Sequence, residues 1–412
     1  MKQQYCRQLL LLIVGIFLGA QSSFAMNFGK VDVVPMINVS AEHHSNIFYE
    51  TENEQADVSM KVTPGVLIGY SGSKGNYLNA GYSVDLVYFS DYSDNNYQTH
   101  KPFVSLGLES PVGLYLKAED KYIHTEDLYG TEEQYGLGER TTRWHNTADL
   151  AAGYTFADRY TLEAQYRNYL QRFDLISDEW QDRNDSRYGV SFAVKVAPKT
   201  EVFAQYRMTI ADFDSQNDSV ANDAFTSQTS MDYKLHDYLL GVRLTATAKI
   251  NGEIKAGWGQ KEYDNEYDPD GNAYEDDSTW IAETRLNYQM LQRTLLTLNV
   301  ARAYKPSVDM GAPSSSYVDT IAGLALKQGL GNQILLNLGA QWRYKDYVNE
   351  AEGLPEKDFT IYDLNAGVEL SVNSWLKAIA EYRYETKGAG DSQYDEYEYD
   401  ASIFSVGLTA AY

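Results

Sequence analysis

Apolar and polar residues alternate with a period of two along most of this chain. Val58, Met60, Val62, Pro64, Val66, Ile68 and Tyr70 share one parity, and Ser59, Lys61, Thr63, Gly65, Leu67 and Gly69 share the other. Successive side chains of a strand point to opposite faces, so the run predicts a strand with one apolar and one mostly polar face. The same beat returns from Leu78 to Tyr88, Ala148 to Tyr154, Tyr160 to Tyr166, Tyr188 to Val196, Val202 to Ile210, Tyr238 to Ala246, Ile334 to Tyr344, Tyr362 to Leu370 and Leu376 to Tyr384, among others. Short turn signals such as Ala157-Asp158-Arg159, Pro198-Lys199 and Asn251-Gly252 alternate with longer polar loops.

About eighteen strands are predicted, with sixteen as the alternative count. Two places are irregular. The first strand, near residues 32–41, carries Pro35. In the segment after Gln292-Arg293, Arg302 takes the apolar parity, which predicts a bulge or the edge of a membrane there. Tyr70, Tyr88, Tyr154, Tyr160, Trp342, Tyr344 and Trp375 lie near strand ends, where a transmembrane barrel carries its aromatic girdles. The expected fold class is all-β, a transmembrane antiparallel up-and-down β-barrel. A soluble all-β protein is the competing reading, but it would have to cover these long apolar faces without helices.

The chain ends in one more such strand. Phe404, Val406, Leu408, Ala410 and Tyr412 share its apolar face. This stretch resembles the C-terminal signal that bacterial outer-membrane barrels present to their barrel-insertion machinery, and that machinery is therefore an expected partner. At the other end, Lys2 and Arg7 precede an apolar run from Leu9 to Ala20 and a small-x-small site, Ser23-Phe24-Ala25. That order predicts a signal peptide over 1–25, cleaved between Ala25 and Met26, and a barrel over 26–412. An even number of strands would put both termini on the periplasmic side and the long loops outside the cell.

Charge narrows the partners. The chain holds 34 Lys+Arg against 58 Asp+Glu, a net charge of −24, and losing Lys2 and Arg7 takes it to −26. Nucleic acid is not an expected partner of so acidic a protein. Outer-membrane lipid and lipopolysaccharide are. Cys6 precedes the apolar run, so the mature chain would have no thiol or disulfide.

The inward parity is where chemistry would lie. A short motif recurs on strands leaving the short turns: Ala164-Gln165-Tyr166-Arg167, Ala204-Gln205-Tyr206-Arg207, Ala340-Gln341-Trp342-Arg343 and Ala380-Glu381-Tyr382-Arg383. Alternation sends the alanine and aromatic to lipid and Gln165, Gln205, Gln341 and Glu381, with the four arginines, to the lumen. Arg243 and Arg285 join that basic band by parity. One reading of the band is a wall of cross-strand ion pairs that stiffens the barrel. The other is a cationic track for an anionic or hydroxyl-rich solute, such as a carboxylate-bearing sugar.

Catalysis is not expected. The six histidines lie singly or in loops without a nucleophile and orienting acid beside them. No cofactor is expected. His43-His44 is a candidate metal pair. Asp264, Glu266, Asp268 and Asp270 form a candidate calcium loop, but it lacks the full spacing with a terminal glutamate, and a hydrated acidic loop is the plainer reading.

Asn46-Ile47-Phe48, then Asp57, then Val62-Thr63-Pro64-Gly65-Val66, resembles the opening of the putative β-barrel porin 2 family of outer-membrane proteins. The resemblance extends over the mature chain through the barrel layout and the terminal strand. It implies an outer-membrane exit for exopolysaccharide or capsule and partners among periplasmic polysaccharide-export proteins. The expected function is a passive conduit for export of an exopolysaccharide. A porin for small molecules and a plugged, surface-exposed structural or adhesive barrel are the alternatives.

Overall fold

The computed structural model of this protein describes residues 26–73, 75–126, 142–175, 182–213, 231–244, 249–267, 273–274, 276–306, 316–348 and 356–411. Ala25, Asp268, Asp270 and Tyr412, and the segment 1–25 expected to be a signal peptide, lie outside the described residues. The strands are β1 Met26–Phe28, β2 Val31–His44, β3 Asp57–Ser71, β4 Tyr77–Phe89, β5 Tyr97–Glu109, β6 Leu114–Glu126, β7 Thr142–Phe156, β8 Tyr160–Phe173, β9 Arg183–Ala197 and β10 Thr200–Phe213. They continue as β11 Tyr233–Leu244, β12 Ile250–Tyr263, β13 Asp277–Leu291, β14 Thr294–Pro306, β15 Ser316–Leu330, β16 Ile334–Val348, β17 Asp358–Ser371, β18 Leu376–Ala389 and β19 Tyr399–Ala411.

From β2 onward each strand pairs antiparallel with the next, and β19 returns to pair with β2, Ile403 opposite His44 and Ala411 opposite Met36. The result is a closed barrel of eighteen strands, which leaves no open sheet edge. The nineteenth strand, β1, adds three residues beside the start of β2. No described helix is long and apolar enough to cross a membrane.

The prolines explain local gaps in the ladders, because proline has no N–H to donate. One edge of β2 pairs with β1 at Val31–Val33 and with β19 from Met36, and Pro35 falls between. Pro64 and Pro102 likewise sit where the β3–β4 and β5–β6 ladders skip. The first strand is thus longer than its weak alternation suggests.

Turn chemistry holds at Ala157 and Asp158, whose φ of 51° and 52° give the left-handed central pair of a tight hairpin. It fails at Asn251-Gly252, which lies inside β12 opposite Asn287 and Leu286 of β13. Gly252 has φ of 139°, and a Cβ there would stand 2.0 Å from the Arg285 carbonyl, so glycine serves the strand crossing and not a turn.

The outer face is apolar and exposed. Leu240, Leu162 and Leu338 are 70%, 51% and 50% accessible. A band of this kind on a closed barrel needs lipid around it. Two rows of rings bound it. Near the short turns Tyr154, Phe156, Tyr160 and Phe192 follow one another at centroid spacings of 5.8, 5.5 and 6.1 Å. Towards the long loops Tyr206, Tyr238, Trp258 and Trp280 are direct register neighbours across β10 to β13. The barrel and its girdled belt fit an outer membrane.

Strands of 12 to 15 residues exceed the nine to eleven or so that span a bilayer, so the walls continue past the belt at the long-loop end. Arg302 belongs to that transition. It forms the last pair of the β13–β14 ladder, opposite Ala282, and its register with Thr320 is continuous, so no bulge forms there; the irregular step in this hairpin is between Gln289 and Leu291. Its guanidinium lies 4.7 Å from the Trp280 ring.

Candidate functional site

The repeated motif places its charges where alternation predicts. Each of the four arginines meets an aspartate on an adjacent strand. Arg167 and Asp149 are direct register partners, with Nε to Oδ1 at 2.6 Å. Arg207 and Asp237 are direct partners too, and both are nearly buried. Arg343 reaches Asp319 at 2.7 and 2.9 Å, and Arg383 reaches Asp363 and Glu385. In β8, β10 and β18 the arginine stands seven residues beyond the first of its strand; in β16 it stands nine beyond.

Ion pairs extend beyond adjacent strands. Arg207 Nη1 contacts Glu283 Oε1 of β13 at 2.6 Å, and Lys255 Nζ of β12 contacts the other oxygen of Glu283 at 2.7 Å. Arg243 lies between Glu253 and Glu201 at 2.9 and 3.7 Å. Arg285 faces Glu253 in register and makes no ion pair among the described residues, since Glu253 is held by Arg243 and Lys255. Gln205 donates to Gln165 at 2.8 Å, and Gln165 donates to Glu163, as does Tyr115. Gln341 and Glu381 are exposed on the lumen parity.

This wall surrounds a cavity of about 620 Å³, lined among others by Asn79, Lys117, Asp149, Gln165, Arg167 and Arg187. Parity places more charge inside than the motif reveals. Asp237 and Asp319, the partners of two motif arginines, belong to strand portions that extend beyond the apolar run. Arg187 sits one residue before the apolar face of β9 begins at Tyr188. Lys261 is 1% exposed between the rings of Tyr233 and Tyr263, 4.3 and 4.1 Å away.

The long-loop end of the lumen is narrowed by part of the wall. The β13–β14 ladder stops at Ala282 opposite Arg302, although β13 runs on to Asp277 and β14 to Pro306. Beyond the split, Tyr304 and Val318 have the parity that faces lipid lower down. They are buried instead against Ala211, Phe213, Met231, Tyr233 and Leu235. Consecutive residues Val318 and Asp319 are 2% and 4% exposed, which a strand with one face in lipid and one in a wide pore would not show. The upper β14–β15 hairpin therefore leans over the lumen. Tyr304 fixes it by donating to Asp277 Oδ2 at 2.7 Å, and Tyr263 donates to Ser316 Oγ at 3.4 Å.

A second ordered centre lies where the barrel closes. Asn46 is wholly buried; its Nδ2 donates to the carbonyls of Glu50 and Asp400, and its Oδ1 accepts from the Glu50 amide. Asp57 accepts from the amides of Val58, Asp91 and Tyr92. Burial and the neighbouring Glu385 push the Tyr49 hydroxyl in the same loop up to about 12. The Asn-Ile-Phe and Asp57 motif thus organises the first long loop over the β2–β19 seam.

His43 and His44 point to opposite faces of β2, so they cannot share a metal ion: His43 pairs with Phe404, while His44 lies with Tyr49, whose Oη is 3.3 Å from its Nε2. Asp264 is engaged by Lys234 at 2.6 Å, and Glu266 supplies a backbone carbonyl to Tyr274. Among the described residues no cluster of metal-binding side chains forms. On β19, Phe404, Val406 and Leu408 are 50%, 46% and 41% accessible on the outer face, and Ala410 is buried.

A family model described as putative beta-barrel porin 2 matches residues 25–412. No curated protein matches the sequence. Solved structures with a similar fold include the siderophore receptor PirA from Pseudomonas aeruginosa, at 8% identity and a TM-score of 0.40, covering 92% of this chain and 80% of that one. PirA from Acinetobacter baumannii gives 9% and 0.44 over the same shares. A bacterial polysaccharide outer membrane secretin gives 10% and 0.34, covering 92% of this chain and 98% of that one.

Proposed function

The chain belongs to the putative beta-barrel porin 2 family, and from that membership we propose a passive outer-membrane conduit that exports an exopolysaccharide. The observation that carries the reading is the polar, ion-paired wall around a cavity inside a closed barrel. Such a wall offers hydroxyl groups many exchangeable partners without a single tight site. In this reading residues 1–25 are removed on secretion, and β19 is the signal read by the barrel-insertion machinery. Both termini lie in the periplasm. The long acidic loops face outward beside lipopolysaccharide, and the partners are periplasmic polysaccharide-export proteins. The protein carries no catalytic site and no cofactor.

The leaning β14–β15 hairpin favours a second reading, a porin for small molecules, because a narrowed mouth limits the size of what passes. Two experiments separate the readings. Deletion of the protein in its native cell should remove polysaccharide from the surface and leave it in the periplasm. Liposomes carrying the barrel should admit small sugars if the porin reading holds. Normal surface polysaccharide in the deletion strain overturns the export reading.

A further inference from the structure

Arg187 is the arginine of the cavity lining that the ion-pair network leaves over; Lys117, also in the lining, lies instead 5.5 Å from the Tyr115 ring. Arg187 stands on β9 directly opposite Arg167 on β8 and Thr209 on β10. Its Nε donates to Thr209 Oγ1 at 3.0 Å, and among the described residues it makes no ion pair. Three carboxylates near it are engaged elsewhere, Asp149 by Arg167, Asp237 by Arg207, and Glu283 by Arg207 and Lys255; Asp185, two residues along β9 on the same face, stands 3.8 Å from Arg183 and makes no ion pair with Arg187. Like charges directly opposed on one sheet face destabilise it, so self-stabilisation does not account for Arg187.

Its surroundings suit a ligand. Arg187 lines the 620 Å³ cavity, whose wall carries Lys117, Arg167, Arg207 and Lys255 besides, against Glu119, Asp149 and Glu283. That local excess of positive charge lies inside a chain of net −24. The next inward position, Gly189, has no side chain. A Cβ there would come within 3.3 Å of Gln165 Oε1 and 3.6 Å of Arg207 Cγ, so the glycine keeps a recess beside the guanidinium. A guanidinium presents parallel N–H donors matched to a carboxylate, and here only Nε is committed. Asn79 and Ser105 on the same cavity wall can bond hydroxyls.

We propose that Arg187 and the cavity before it form a binding site for the carboxylate of a hydroxyl-rich solute, a uronic-acid sugar or a polymer of one. This rests on the conduit reading for its role, since a site in the lumen meets what passes through it. Binding itself needs no passage.

The test is calorimetric titration of the barrel, purified from membranes in detergent, with trigalacturonate, galacturonate and glucose. Wild-type protein should bind the uronates and not glucose. R187Q should weaken uronate binding about tenfold or more, about 1.4 kcal/mol, and R187K should recover only part of the loss. Tighter binding of the trimer than of the monomer identifies a polymer ligand; equal binding identifies the free sugar acid, and both support the site. R187Q should also leave the urea midpoint unchanged or raised, because it relieves Arg167. Absence of uronate binding, equal affinity in R187Q, or a midpoint lowered as far as by R207Q overturns the proposal. A barrel that binds uronate through Arg187 yet neither exports nor conducts would remove the conduit reading and keep the site.

Discussion

Arg207 and Asp237 face one another across the β10–β11 ladder, Nε and Nη2 of the arginine both donating to one carboxylate oxygen at 3.0 and 2.8 Å. The third guanidinium nitrogen crosses two strands to Glu283. At 8% and 4% side-chain exposure this is the most buried of the lumen pairs formed by the motif arginines. Removing one partner of a buried pair leaves the other uncompensated. R207Q should therefore cost roughly 3–5 kcal/mol, read as a lowered urea midpoint of the folded barrel. R167Q breaks a pair that is 48% and 34% exposed, and should cost less than about 1 kcal/mol. Equal midpoints for the two variants would show that burial does not grade this wall.

Selectivity should respond to the exposed arginines. Arg167, Arg343 and Arg383 each neutralise an aspartate in the lumen. Replacing all three by Gln leaves Asp149, Asp319 and Asp363 uncompensated, and the path becomes more negative. Reversal potentials in planar bilayers under a potassium chloride gradient should move towards cation selectivity. An unchanged reversal potential would confine the stripe to a mechanical role.

The first long loop should depend on Asn46. The amide is wholly buried and serves two carbonyls and one amide N–H. N46A leaves those backbone groups unsatisfied at about 1–3 kcal/mol. Faster proteolysis within 45–56, with the barrel itself still folded, is the expected result. Unaltered cleavage would show that the loop is held by other contacts, such as Thr51 on the carbonyl of Glu398.

How far the sequence reveals all this depends on what each face touches. Leu162, Val190 and Leu338 meet lipid while their neighbours meet the lumen, so parity is visible and the strand count follows from it. Past the belt both faces are wet or aromatic, and the contrast disappears. Asp237 and Asp319 fall in that region, so the acids that pair with two of the motif arginines are hidden from a reading of apolar runs. Asn251-Gly252 misleads for another reason. The dipeptide suits a turn, but the β12–β13 ladder continues through it, and its left-handed glycine is used within a strand. Tyr304 and Val318 keep the lipid-facing parity after their hairpin has left the wall, and only packing against Phe213 and Tyr233 exposes the change.

That hairpin yields the most direct test of the mouth. The β13–β14 split frees the upper β14–β15 segment to lean, and Tyr304 holds it to Asp277 by one hydrogen bond at 2.7 Å. Y304F keeps the ring in its apolar cluster and removes only that bond, worth on the order of 1 kcal/mol net. A change of this size shifts a two-position equilibrium about fivefold towards the arrangement in which the hairpin stands back in the wall. Single-channel recordings of Y304F should show more frequent or longer high-conductance episodes than wild type, with the same maximal conductance. An engineered disulfide joining β13 to β14 above Ala282 should close the split and hold the hairpin in the wall, giving the high-conductance level continuously. If Y304F and wild type give identical records, the hairpin is a fixed part of the mouth, and the size limit it sets is permanent.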